Sequence, residues 1–162
     1  MSAIDHLIHA NESYAANFPG PRPLRPKLRM TVIACMDSRL DLFGALGLDI
    51  GDAHLIRNAG GKITDDVLRS LALSQRSMGT REIVIIHHTE CGMLGLDDDA
   101  FRADLARESG QEPPWRVPGF IDLPADVRES VATVRSCPWL PHREDVRGFV
   151  FDVATAQIEE VS

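Results

Sequence analysis

The chain has 162 residues, 44% of them hydrophobic and 25% charged, a balance that suits one globular domain spanning residues 1–162 and excludes a filament or a disordered tail. Acidic residues outnumber basic ones by 24 to 17, and the formal charge of −7 argues against nucleic acid or an anionic membrane as the main partner, while leaving room for a local basic pocket. The opening MSAIDHLIHANESY lacks the basic and long apolar regions of a secretory signal, no run is long enough to cross a bilayer, and three widely spaced cysteines argue for metal or catalytic chemistry in a reducing compartment, so a cytoplasmic protein is expected.

Ile4, Leu7, Ile8, Tyr14, Ala15 and Phe18 recur at helical spacing and predict an amphipathic helix over the first eighteen residues. Pro21, Pro23 and Pro26 stop it. KLRMTVIAC (27–35) reads as a strand, RLDLFGALGL (39–48) as a short helix, and AHLIRNAGG (53–61) as a second strand running into a glycine turn. A helix follows, with Thr64 as N-cap, Asp65 and Asp66 in the first turn where the helix dipole favours them, and Gly79 at its end. REIVIIHH (81–88) is a β-branched run without alternation, the pattern of a strand buried on both faces of a parallel sheet. DDDAFRADLARESG (97–110) predicts a helix with an acidic first turn, and residues 111–124, with four prolines, a loop. ADVRESVATVRS (125–136) predicts another helix, and RGFVFDVATAQIEEVS (147–162) a last strand that can turn into a hairpin. Strands alternating with helices, with no repeat or internal linker, predict an α/β fold: an open, mostly parallel β-sheet flanked by helices. In such sheets ligands gather beyond the carboxyl ends of the strands, near the point where strand order reverses.

Two of the predicted strands end in chemistry. The first delivers Cys35, Asp37 and Arg39, and REIVIIHH runs into HHTECGM. His88 and Cys91 stand in an H-x-x-C spacing, short enough for an imidazole nitrogen and a thiolate to reach one ion. Cys35 completes a three-ligand set that suits zinc and leaves a fourth position open. Alone, H-x-x-C is a weak signal and better fits a packed strand-end histidine beside an inert thiol; Cys35, with the carboxylate and guanidinium at the other strand end, turns the balance toward the metal. A closed structural site needs a fourth Cys or His, and Cys137 lies far off among prolines in SCPWL. Asp37 and Arg39, two apart, point to the same side of an extended chain and can form a bidentate pair. Asp37 then either closes the zinc as fourth ligand or, held off by Arg39, accepts a hydrogen bond from water there, which makes the pair a candidate switch.

CMDSR and HHTECGM, with RNAGG between them, resemble the β-class carbonic anhydrases, and the likeness to their short bacterial members covers nearly the whole chain. The resemblance implies a zinc enzyme, one Zn2+ per chain, that interconverts carbon dioxide and bicarbonate. It implies Cys35, His88 and Cys91 as metal ligands, and Asp37 and Arg39 as the catalytic dyad, with Asp37 on the metal in a closed form. It also implies substrate-binding roles for Asn58 and Gly60 of the RNAG turn and for Gly92, whose backbone N–H would meet a bound anion. Family members form dimers and multiples of dimers, so a homodimer is expected, with the N-terminal helix packing on a partner subunit. One departure is plain: plant-type members carry a glutamine upstream of the first ligand, and this chain has none before Gln75. Carbonyl sulfide and carbon disulfide hydrolases share fold and ligands, so that activity is an alternative. A non-catalytic zinc-stabilised interaction module is another, although it would need neither Asp37 nor Arg39.

Other candidates have simpler explanations. His6 and His9 suit a solvated helical face, Asp97 to Asp99 the start of a helix, and Cys137 a small buried hydrophobe. Trp115 and Trp139 suit packing or an interface, and no proton-shuttle role is assigned to His54, His87 or His142.

Overall fold

A computed structural model describes residues 2–162. In chain order the elements are α1 (Ala3–Ala16), β1 (Met30–Cys35), α2 (Leu42–Leu46), β2 (Ala53–Asn58), a 3-10 turn (Ala59–Gly61), α3 (Asp65–Met78), β3 (Glu82–His88), α4 (Asp98–Ser109), α5 (Leu123–Ser136), β4 (Val146–Phe151) and β5 (Ile158–Val161). Each α-helix begins at a side-chain oxygen, from Ser2, Asp41, Thr64, Asp97 or Asp122, that accepts the backbone N–H three residues on. Helix α2 is shorter than the predicted 39–48, and the starts of β1 and α5 also differ from the sequence pattern. Lys27 and Leu28 give their N–H groups to the carbonyls of Gly51 and Asp52, and Arg29 turns to φ 53°, so β1 begins at Met30. Helix α5 begins at Leu123 because Asp122 caps it, and Pro124 falls in the first turn, where no N–H is required of it.

The sheet runs β2-β1-β3-β4-β5, with the first four strands parallel and β5 antiparallel to β4 as the predicted hairpin. Strand order reverses between β1 and β3. On one face Ile33, Ile83, Ile85 and Val146 meet Val67 and Leu71 of α3 and Val131 and Val134 of α5. Gly148 lets α5 come this close, since a Cβ there would lie 2.4 Å from Val127 Cγ1. On the other face Val32, Ala34 and Ile86 meet Leu40, Leu42, Met93 and Phe120, contributed by α2 and loops. That cover is incomplete: Leu55, Val84 and Phe149 are only partly buried. Helix α1 buries none of its residues and exposes Ile4, Leu7, Ile8 and Tyr14. Among the described residues no helix is long and apolar enough to cross a membrane.

A buried polar network joins the turn after β2 to α5. The Lys62 ammonium bonds Asp126 Oδ1, Asp126 Oδ2 lies 2.8 Å from His87 Nδ1, and His87 Nε2 is 3.2 Å from the Gly61 carbonyl. Lys62 also stands over the Phe120 ring at 4.9 Å. Burial pushes the Asp126 carboxyl up, but the His87 and Lys62 side chains together outweigh it and hold the group below its ordinary value.

Asp126→Asn leaves the Lys62 charge buried without its counter-ion, and urea unfolding near neutral pH is expected to show a loss of about 3–5 kcal/mol. Because the folded carboxyl titrates below the unfolded one, its stabilisation is present above the unfolded value, about pH 4, and is lost as pH falls through the folded value. The gap between wild type and variant should therefore narrow on acidification. Gly148→Ala forces α5 away from β4 and is expected to cost about 1–3 kcal/mol in the same assay.

Candidate metal centre

Strands β1 and β3 lie side by side, with Ala34 opposite Ile86, so their carboxyl ends meet where strand order reverses. Cys35 ends β1, His88 ends β3, and Cys91 follows across a turn in which Glu90 takes φ 54°. One ligand atom from each of Cys35, His88 and Cys91 lies within 4.8 Å of the other two, and all three residues are buried. Gly61, at φ 66°, permits this crowding: a Cβ there would stand 3.0 Å from Cys35 N and 3.2 Å from the Ile86 carbonyl.

His88 Nδ1 is 2.8 Å from the Thr89 carbonyl, which can only accept, so the ring proton sits on Nδ1 and the lone pair on Nε2. Nε2 is buried with no hydrogen-bond partner. An unpartnered imidazole nitrogen in a group with two free thiols fits a borderline-soft divalent cation such as zinc, and a backbone carbonyl fixing the other ring nitrogen is the usual outer support of a metal-bound histidine. Burial lowers the His88 imidazole, and burial followed by the nearby Cys35 thiol pushes the Cys91 thiol up. A bound cation would favour the thiolate and displace that proton.

Asp37 receives Arg39 Nε at 3.0 Å and Nη2 at 2.8 Å on its two oxygens, and the Arg39 backbone N–H at 2.9 Å. The Arg39 side chain, helped by that N–H, holds the carboxyl far below the usual carboxylate range, and Asp37 in turn raises the guanidinium. Arg39 reaches further, to Glu90 Oε2 at 3.2 Å and the Glu90 carbonyl at 3.0 Å, so it fastens the loop after β1 to the loop after β3. Arg57, near the end of β2, donates Nε to the Cys35 carbonyl at 2.9 Å and Nη2 to the Asp37 carbonyl at 2.6 Å. Asp37 Oδ2 stands 3.8 Å from His88 Nε2.

The remaining sequence candidates divide. Asn58 donates one amide N–H to the Lys62 carbonyl at 2.8 Å and leaves Oδ1 buried without a partner. Gly60 is buried against Met93 and shapes the turn, whereas Gly92 is exposed with open space about it. Glu90 and the carbonyl clamp of Arg57 carry no recognisable sequence signal beyond an acid between two ligands and an arginine before Asn58. Both depend on backbone turns that spacing does not reveal.

A family model described as carbonic anhydrase matches residues 30–112. The chain is 46% identical to beta-carbonic anhydrase 1 of Mycobacterium tuberculosis, over all of this chain and 99% of that protein. It superposes on the crystal structure of carbonic anhydrase from Streptococcus mutans with a TM-score of 0.93 at 40% identity, covering 100% of this chain and 99% of the other. It is also 38% identical to a carbon disulfide hydrolase of Acidithiobacillus thiooxidans, over 80% of this chain and 75% of that one. With sheet order, full-length similarity and strand-end residues in agreement, the chain belongs to the β-carbonic anhydrase family.

Proposed function

We propose that the chain hydrates carbon dioxide reversibly to bicarbonate and a proton, with Cys35, His88 and Cys91 holding one zinc ion and Asp37 and Arg39 serving as the catalytic dyad. The carrying observation is a buried group of two free thiols and an unpartnered imidazole nitrogen, beside a carboxylate that a guanidinium keeps ionised. Zinc, when bound, would supply a Lewis acid that makes water more acidic and hence a better nucleophile. Asp37 accepts a hydrogen bond from the attacking water and so turns its lone pair toward the carbon of carbon dioxide. Arg39 holds Asp37 ionised and away from the metal, and Glu90 holds Arg39. Release of Asp37 from Arg39 would free it to close the site as a fourth ligand. Gly92, exposed next to Cys91, is the proposed backbone contact for bicarbonate.

Two thiolates donate more charge to zinc than imidazoles do, so activity is expected to rise toward alkaline pH. The apolar side chains exposed on α1, together with the partly covered sheet face, favour a homodimer or a multiple of dimers in which α1 packs on the partner. Three free cysteines suit the reducing cytoplasm. A second reading, carbon disulfide hydrolysis at the same residues, is favoured by the relative of Acidithiobacillus thiooxidans.

Stopped-flow assays with a pH indicator are expected to show zinc-loaded protein hydrating carbon dioxide faster than buffer at alkaline pH, and chelation of the metal should abolish this. Asp37→Ala should retain zinc by metal analysis yet lose about 100-fold or more in kcat. Wild type no faster than buffer with zinc fully loaded would remove the proposal, and hydrogen sulfide release from carbon disulfide under the same conditions would establish the second reading. Sedimentation equilibrium at micromolar concentration should give a dimer or a multiple of it, and a monomer would refute the predicted role of α1.

A further inference from the structure

Among the described residues, Arg25, Arg29 and Arg81 are the arginines whose side chains make no hydrogen bond or ion pair with the protein; every other arginine makes at least one. All three line one cleft of about 260 Å3, whose wall is completed by His142, Met78 and Gly79 and includes no carboxylate. In a chain of net charge −7, carboxylates are plentiful, yet these guanidiniums are left to repel one another. A larger cavity next to it, about 570 Å3, shares Arg25 but differs in its lining: there Arg22 and Lys27 stand with Asp49 and Asp52, and Lys27 is 3.8 Å from Asp52.

The backbone around the smaller cleft is fastened before any ligand arrives. Lys27 and Leu28 donate to the carbonyls of Gly51 and Asp52 at 3.0 and 2.9 Å. Arg29 sits at φ 53°, in the left-handed region that L side chains rarely adopt, and its carbonyl accepts the Arg81 N–H at 2.7 Å. His142 exchanges two bonds with Gln75 of α3, accepting Nε2 at 2.6 Å on its carbonyl and donating its N–H to Oε1 at 3.0 Å.

Guanidinium forks match pairs of phosphate oxygens, and a tetrahedral dianion can serve several forks at once. We propose that this cleft binds a phosphate group, free or carried on a small ester, through Arg25, Arg29 and Arg81 with His142 beside them. It lies at the amino end of β1, and Cys35 lies at the carboxyl end. Six strand residues place the two sites about 17–20 Å apart.

The test is a calorimetric titration of zinc-loaded protein in low-salt buffer with inorganic phosphate and, separately, with glycerol phosphate, while the ring proton signals of His142 and His88 are followed by NMR. Saturable binding with Kd near or below about 1 mM, shifting His142 and not His88, is expected. The probe that saturates at lower concentration identifies the source of the phosphate. Arg29→Gln and Arg81→Gln should each weaken binding by about tenfold, whereas Arg107→Gln, which removes the same charge from α4, should leave it within about twofold. All three side chains are exposed, so the variants should fold as wild type does. Absence of saturable binding of either probe, an equal loss in Arg107→Gln, or shifts confined to His88 would each overturn the site.

Discussion

Parallel pairing of β1 with β3 is the constraint on which the candidate centre depends. Parallel neighbours end at the same edge, so Cys35 and His88, remote in sequence, arrive together with the loops that follow them. A slip of one residue in this register would turn Cys35 or His88 to the opposite face of the sheet and scatter the group. Parallel strands also require crossovers, and α3 and α5 supply them while burying the face of Ile33, Ile83 and Ile85. The metal group and the hydrophobic core are thus consequences of the same strand pairing.

Three arginine and lysine arrangements then hold the loops at that edge. Arg39 joins Asp37 to Glu90, and Arg57 grips the carbonyls on either side of Met36. The ion pair of Arg39 with exposed Glu90 is screened by solvent, so its effect is on geometry more than on stability. The Lys62–Asp126–His87 network is buried, and there the balance differs: an unmatched charge would cost several kcal/mol, which ties α5 firmly to the turn carrying Gly61. Gly61 in turn lies against Cys35 N, so the buried network acts on the strand end that carries the first thiol.

The molecular surface is uneven in a way that net charge conceals. Apolar side chains of α1 face solvent, and part of the sheet's second face lacks cover. At the amino end of the sheet the imbalance is electrostatic, with guanidiniums gathered in one cleft of an acidic chain.

Residue type and spacing were enough to locate most elements, since Thr64, Gly79 and the unbroken REIVIIHH run each express a local requirement of helix cap, helix end or buried strand. They also identified Cys35, His88 and Cys91 as one group and Asp37 with Arg39 as a pair, because ligand chemistry and strand periodicity are local properties. The unexpected start of β1 came from Arg29, whose left-handed φ is imposed by contacts of its neighbours with residues 51 and 52. Glu90 as a second anchor for Arg39, the Lys62–Asp126–His87 network, the acceptor left free on Asn58 and the cleft of unpaired arginines each depend on partners distant in sequence. The sequence alone determined which donors exist and which strand ends present them, since these follow from side-chain chemistry and short-range periodicity. Only the tertiary structure decided which charge each donor meets, because that is set by long-range packing of turns and helices against the sheet.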